Sequence, residues 1–242
     1  MKIAIISDIH GNRQALEAVL NDIAPRDCVK ILCCGDLVGY GGEPNACIEM
    51  IRSRNIPCVR GNHDDLMVNS ERLGELRAEI RASVHWTRNQ LSNTDKEWLG
   101  NLPFQREYAG IQILHASHLF HPPWPYIVSL RIAGANFLFQ KAKIAFHGHT
   151  HVPLLCMHSR GSTPKVIHFQ NLILPPHSRC LLNVGSIGQP RDRDPRASYV
   201  IFDSKTREVS LQKVSYDVAA AAGAIRRAEL PERFATRLQE GR

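Results

Sequence analysis

No uninterrupted apolar run in this 242-residue chain approaches the roughly 20 residues that a membrane-crossing helix needs. The start, Met1-Lys2-Ile3-Ala4-Ile5-Ile6, reaches Asp8 at once, too short and too strand-like for a secretory leader, so a cytoplasmic protein is expected. The seven cysteines (Cys28, Cys33, Cys34, Cys47, Cys58, Cys156 and Cys180) form no CxxC pair and are odd in number. Several sit in apolar runs such as Val29–Cys34, which argues for reduced core residues and against a disulfide framework or zinc module. There is no Lys/Arg block either. The formal net charge of +7 is dispersed, acids interrupt the basic stretch Arg191–Arg196, and Arg226-Arg227 is only a pair. Nucleic acid is therefore a possible partner but not a favoured one, whereas a small anionic substrate suits the excess. No internal repeat or low-complexity segment is present. What remains, 43% hydrophobic and 22% charged residues, is ordinary for a soluble globular chain long enough for one full core.

The first sixty residues alternate in period. Met1–Ser7 reads as a buried strand. Asn12–Ile23 reads as an amphipathic helix with Leu16, Val19, Leu20 and Ile23 on one stripe. Val29–Cys34 is a second strand, Pro44–Arg54 a second helix with Pro44 in its first turn, and Ile56–Arg60 a third strand. This order predicts a parallel sheet covered by helices. Residues 65–101 are polar and helical, an insertion of two or three helices anchored by Trp86 and Trp98. Strand patterns follow at Ile111–His115, Lys143–Phe146, Val152–His158, Lys165–Phe169, Arg179–Val184, Tyr199–Phe202 and Glu208–Val214. Phe120–Pro125 reads as a Pro-rich loop, Ser129–Gln140 as a helix, and 216–242 as a helical tail to what is expected to be a single domain over 1–242.

Chemistry-bearing residues stand where these strands end. Asp8-Ile9-His10 closes the first, and a strand's period of two would point both side chains the same way. Gly35-Asp36 closes the second, ahead of Gly39-Tyr40-Gly41-Gly42; a carboxylate can bridge two metals through its two oxygens. Gly61-Asn62-His63-Asp64 closes the third. Asn62 offers a neutral oxygen, His63 can carry a proton, and Asp64 is placed to orient it. His115 leaves an apolar run, and Gly148-His149-Thr150-His151 adds two more imidazoles. Neighbouring strand ends face one crevice in open α/β sheets, so these pieces can converge. Oxygen and imidazole donors of this number suit two adjacent borderline divalent ions.

With these motifs, and the longer strings Ser7–Asn12, Gly35–Gly41 and Asn183–Arg191, the chain resembles the calcineurin-like metallophosphoesterases over residues 1 to about 203. It looks like their small prokaryotic branch of diadenosine-tetraphosphatase-like and phosphodiesterase-like proteins. The resemblance implies an α/β fold, a four-layer αββα sandwich with two central mixed sheets. It implies a first metal on Asp8, His10, Asp36 and His151, and a second on Asp36, Asn62, His115 and His149, with Asp36 bridging. His63 would be the general acid or phosphate contact, with Asp64 its partner. Manganese is the first choice of ion, with iron, nickel, cobalt or zinc also compatible.

The expected activity is hydrolysis of a phosphodiester, phosphomonoester or nucleotide phosphoanhydride, by a hydroxide made available when two metals lower the pKa of a shared water from about 15.7 toward about 7. A nuclease of the same fold and a non-catalytic scaffold are the alternatives. Asn12 and Arg191 are candidate substrate contacts, though Asn12 also stands where a helix cap is expected. Arg193, His118, His121 and Tyr40 are weaker pocket candidates, and His147 reads as a buried supporting residue.

Overall fold

The computed structural model describes residues 1–119 and 124–242. Two sheets face each other. The first has the order β2-β1-β10-β11-β8, from β1 (Lys2–Ile6), β2 (Cys28–Cys33), β8 (Asn171–Ile173), β10 (Ala197–Asp203) and β11 (Glu208–Val214). The second has the order β3-β4-β5-β9-β6-β7, from β3 (Gln105–Tyr108), β4 (Ile111–Leu114), β5 (Ile144–His147), β6 (Leu154–Ser159), β7 (Lys165–Ile167) and β9 (Ser178–Asn183). Both are mixed: β1 runs parallel to β2 and antiparallel to β10, while β4, β5 and β9 are mutually parallel neighbours and β6 returns antiparallel.

The two-residue period of each central strand explains the layering. Ile3 and Ile5 of β1 pack between the sheets with Ile113, Ile144, Phe146, Leu182, Val200 and Phe202. Ala4 and Ile6 of the same strand point outward to α1 (Arg13–Ile23) and α2 (Pro44–Ser53). In the second sheet Ala145 and Leu181 point outward to α6 (Leu130–Phe139) through Ala133 and Phe137. Strands buried on both faces need apolar residues at every position, which is why β1 and β5 read as continuous apolar runs. The outcome is the expected αββα sandwich.

Local signals set the helix ends. The Asn12 side chain accepts a hydrogen bond from the Ala15 N–H at 3.1 Å and caps α1. Leu16, Val19, Leu20 and Ile23 are buried under it, each contributing about 1.5–3 kcal/mol of apolar burial. Between 62 and 101 lie a short α3 (Asn62–Asp65), a 3-10 turn at Leu73–Glu75, α4 (Ala78–Gln90) and α5 (Asn93–Gly100). Val84, Leu91 and Leu99 tie this segment to the outer helical core, with Trp98 packed against it. Trp86 instead meets the cluster formed by α7 (Val218–Arg227) and α8 (Glu232–Glu240). All seven cysteines are free, and six are buried.

Three sequence expectations change. Ile56–Arg60 is not a full strand: only a bridge from Cys58 to Cys33 forms, because Pro57 offers no N–H and contributes its carbonyl alone. The polar strand β3 was not expected, since its residues are mostly exposed and carry no apolar alternation. Lys165–Phe169 shortens to β7, and the chain crosses to the other sheet to form β8.

Candidate metal centre

The sandwich brings the carboxyl ends of β1 and β2 in one sheet against those of β4 and β5 in the other. Asp8 lies two residues past β1, Asp36 three past β2, His115 directly after β4 and His149 two past β5. The loop after β1 is laced to the loop after β2, with Asp8 N–H, His10 N–H and Gly11 N–H donating to the carbonyls of Gly35, Asp36 and Leu37 at 2.9–3.0 Å.

Donor atoms fall into two groups. In the first, His151 Nε2 lies 3.2 Å from Asp8 Oδ1 and 3.2 Å from His10 Nε2. In the second, His115 Nε2 lies 3.1 Å from Asn62 Oδ1 and 3.2 Å from His149 Nδ1. Asp36 Oδ2 stands between them, 3.6 Å from His10 Nε2 and 3.3 Å from His115 Nε2. Donor sets Asp8/His10/His151 and Asp36/His115/His149 each lie within 4.8 Å, a spacing that a single cation can span. His63 forms a third such set with His10 and Asp36. Asp36 is shared through one oxygen, not two: its Oδ1 is committed to the His63 backbone N–H at 2.8 Å.

Every imidazole of the two groups is locked by a main-chain carbonyl on its far side. His10 Nδ1 meets the Val38 carbonyl at 3.1 Å and His115 Nδ1 that of Cys34 at 2.8 Å. His149 Nε2 meets the Trp124 carbonyl at 3.0 Å and His151 Nδ1 that of Gln189 at 2.5 Å. A carbonyl only accepts, so the facing nitrogen carries the proton and the inward nitrogen of a neutral ring presents its lone pair. None of these carbonyls was legible from sequence.

The backbone is strained where the donors sit. Asp8, His10, Asp36, His149 and His151 all have positive φ, between 50° and 71°. A left-handed turn, not the pleat of a strand, therefore aims Asp8 and His10 together. Each such residue costs about 1–2 kcal/mol, and clustering of that cost at one place marks a functional centre.

All these donors are buried except Asn62, which is half-buried. Burial alone would raise Asp8 and Asp36, but His151 beside Asp8 and His115 beside Asp36 outweigh it and hold both carboxyls below the usual range. Burial likewise lowers His115, yet the Asp36 carboxylate lifts it to about 9. Burial pushes His149 down to about 3 and His63 down to about 4. Two ionised carboxylates and the inward lone pairs of the neutral His10, His149 and His151, taken out of water together, form a cavity whose chemistry suits cations, which would take the place of the proton on His115.

The remaining candidates separate. Asp64 does not partner His63. Its carboxylate accepts from the Gly61, Asp36 and Leu37 N–H groups at 3.0, 2.8 and 2.9 Å and so staples the second and third motif loops together. His63 Nδ1 is buried against Gly39 and has no hydrogen-bond partner. The Asn12 side chain is engaged by its helix cap, the Gly188 carbonyl at 3.0 Å and the Tyr216 hydroxyl at 3.3 Å. Arg191 lies at the first group, its charge depressing both His63 and His151, with its guanidinium 5.9 Å over Tyr40 and Nη2 held by Gln189 Oε1 at 2.8 Å. Arg193 is exposed in a turn. His147 is buried on the Gly148 carbonyl, and His118 meets Gln112 Oε1 at 2.9 Å. His121 lies outside the described residues. Tyr40 packs edge-on to Phe234 and His10 with little exposure, which leaves no room for stacking on a base.

Comparison with known proteins agrees with this geometry. Residues 1–207 match the model of the calcineurin-like phosphoesterase superfamily domain. The chain belongs to the calcineurin-like phosphoesterase superfamily. This phosphoesterase is 36% identical over 244 residues to an uncharacterized protein of Methanocaldococcus jannaschii, covering 99% of the chain and 98% of that protein. A crystal structure of a metallophosphoesterase from Sphaerobacter thermophilus superposes with a TM-score of 0.84 at 36% identity, each chain covered completely. A hypothetical protein from Pyrococcus horikoshii shares the fold at a TM-score of 0.80 and 21% identity, over 100% of this chain and 98% of that one. The phosphoesterase is thus a metal-dependent phosphoric ester hydrolase. Among its described residues no helix is long and apolar enough to cross a membrane.

Proposed function

We propose that the phosphoesterase hydrolyses a small phosphorylated substrate, a diester, monoester or nucleotide anhydride, at a centre holding two divalent ions, manganese first among them. The observation that carries this reading is the single oxygen Asp36 Oδ2 standing between two otherwise separate donor groups. Asp8, His10 and His151 with Asp36 would hold one ion; Asn62, His115 and His149 with Asp36 the other. Bound there, the ions supply Lewis acidity at phosphorus and a water of lowered pKa.

The chain's own residues do the rest. Carbonyls of Val38, Cys34, Trp124 and Gln189 keep the imidazoles aimed, so no reorganisation is needed during turnover. His63, buried and without a carboxylate partner, is placed to donate an N–H to a phosphoryl or departing oxygen; charge stabilisation suits it better than proton relay through Asp64. Arg191 adds fixed positive charge on the same side. A scaffold role fits poorly with so complete a set of buried donors.

The test is metal analysis with an activity panel. The chain loaded with manganese, nickel, cobalt or zinc should bind two ions and hydrolyse at least one of an artificial diester, a monoester, a dinucleoside polyphosphate or a cyclic nucleotide. Asp36→Ala should lose both ions and turnover. Inactivity on every ester with two ions bound, or two ions retained by Asp36→Ala, overturns the reading.

A further inference from the structure

A cavity of about 410 Å³ opens beside the second donor group, walled by Asn62, His149, Trp124, Tyr126, Leu66 and Leu76. Its volume lies in the range of small-molecule sites. Tyr126 lies flat on the His149 ring, with centroids 4.0 Å apart and planes 14° from parallel, and it is 48% exposed. Such a ring, in a cavity also lined by an indole and two leucines, offers a face to a planar group.

Among the described residues the charged lining is mainly acidic. Asp65, Glu71 and Glu75 contribute three carboxylates against the single guanidinium of Arg72. Arg72 is already paired with Glu75 at 2.8 Å, and Asp65 is held by Arg60 at 3.0 Å. That leaves the exposed Glu71 as the unengaged carboxylate of the described lining: an acceptor beside a flat apolar slot suits hydroxyl and amino donors, and its charge repels a further anion. Arg191, the cation near the centre, belongs to the other donor group and takes no part in the cavity.

We propose that this cavity takes the nucleoside of a nucleotide whose phosphoryl group sits at the metal centre, and that it excludes nucleosides bearing a second phosphate on that side. The proposal rests on the phosphoesterase reading above. The base lies against Tyr126 in the slot that Trp124 and the leucines also line, and Glu71 accepts from a ribose hydroxyl or an exocyclic amine.

Calorimetry on the manganese-loaded full chain tests it, with adenosine 5′-monophosphate, ribose 5-phosphate and adenosine 3′,5′-bisphosphate as ligands. The monophosphate should bind at least tenfold more tightly than ribose 5-phosphate and more tightly than the bisphosphate. Asn69→Trp, at an exposed position lining the cavity, should shrink the nucleoside advantage to less than threefold. Glu71→Arg, also exposed, should remove the penalty for the bisphosphate. Equal binding of the monophosphate and ribose 5-phosphate, or an advantage unchanged by Asn69→Trp, overturns the assignment. Turnover of an artificial diester, measured alongside, separates the two levels. Turnover without a nucleoside advantage defeats the cavity assignment alone; neither turnover nor metal-dependent ribose 5-phosphate binding defeats the reading beneath it.

Discussion

Asp36 accepts a hydrogen bond from the His63 backbone N–H on Oδ1, at 2.8 Å, and thereby turns Oδ2 toward both donor groups. One main-chain bond thus selects which oxygen of the shared carboxylate faces the two donor groups. It also ties the loop after β2 to the start of α3, so the two groups keep a common reference.

Gly61 makes that bond possible. A Cβ at Gly61 would collide with Oδ1, Cγ and the backbone N of Asp36. Gly61→Ala should therefore swing the carboxylate away, lowering bound metal below two per chain and turnover by about 10²–10³-fold. Elemental analysis and initial rates measure both. Full metal content with normal rates would show that the loop yields without cost.

His63 and Asp64 should part company under mutation. Asp64→Ala leaves three buried N–H groups without acceptors and should cost about 3 kcal/mol or more in urea unfolding. Asp64→Asn keeps an acceptor and should lose less. His63→Ala should unfold at nearly the wild-type midpoint and keep its metals, yet lose about 10²-fold or more of kcat. A stable Asp64→Ala protein would contradict the staple; a fast His63→Ala enzyme would contradict the donor role.

Strain outside the centre has no such use. Glu229 follows α7 at a φ of 54°, exposed, with its N–H on the Arg226 carbonyl at 3.0 Å. Glu229→Gly should stabilise the fold by about 1 kcal/mol without touching activity. A lower denaturation midpoint would mean that the side chain holds a contact worth more than the strain.

Asp22, far from the donors, contributes to acid stability. Burial would raise Asp22, but hydrogen bonds from Arg26 at 2.9 Å and the buried Tyr199 hydroxyl at 2.6 Å outweigh it, and its pKa is lowered. A depressed folded pKa contributes stability above the unfolded value of about 3.9 that is lost as pH falls through the folded one. Tyr199→Phe removes one donor, so its stability should fall less steeply than wild type between pH 5 and about 2. Parallel unfolding curves over that range would assign the acid loss elsewhere.

Much of the fold was legible because burial imposes period. Ile3, Ile5, Ala4 and Ile6 had to serve two faces, and the stripe of α1 had to cover one. The third strand failed for a local reason, the missing N–H of Pro57. β3 and β8 escaped because exposed edge strands need no apolar alternation.

By itself the sequence determined the inventory of the centre: which carboxylates, imidazoles and amide exist, and that most of them stand at strand ends, since a residue type and its place along a period are local properties. Tertiary structure alone decided how they are aimed. Asp8 and His10 meet through left-handed turns instead of a pleat, Asp64 is spent on backbone amides, and Asn12 on a cap. Four carbonyls from three separate segments choose which nitrogen of each histidine faces inward. Those outcomes depend on atoms distant in the chain competing for the same hydrogen bonds, a competition settled only when the two sheets close on each other.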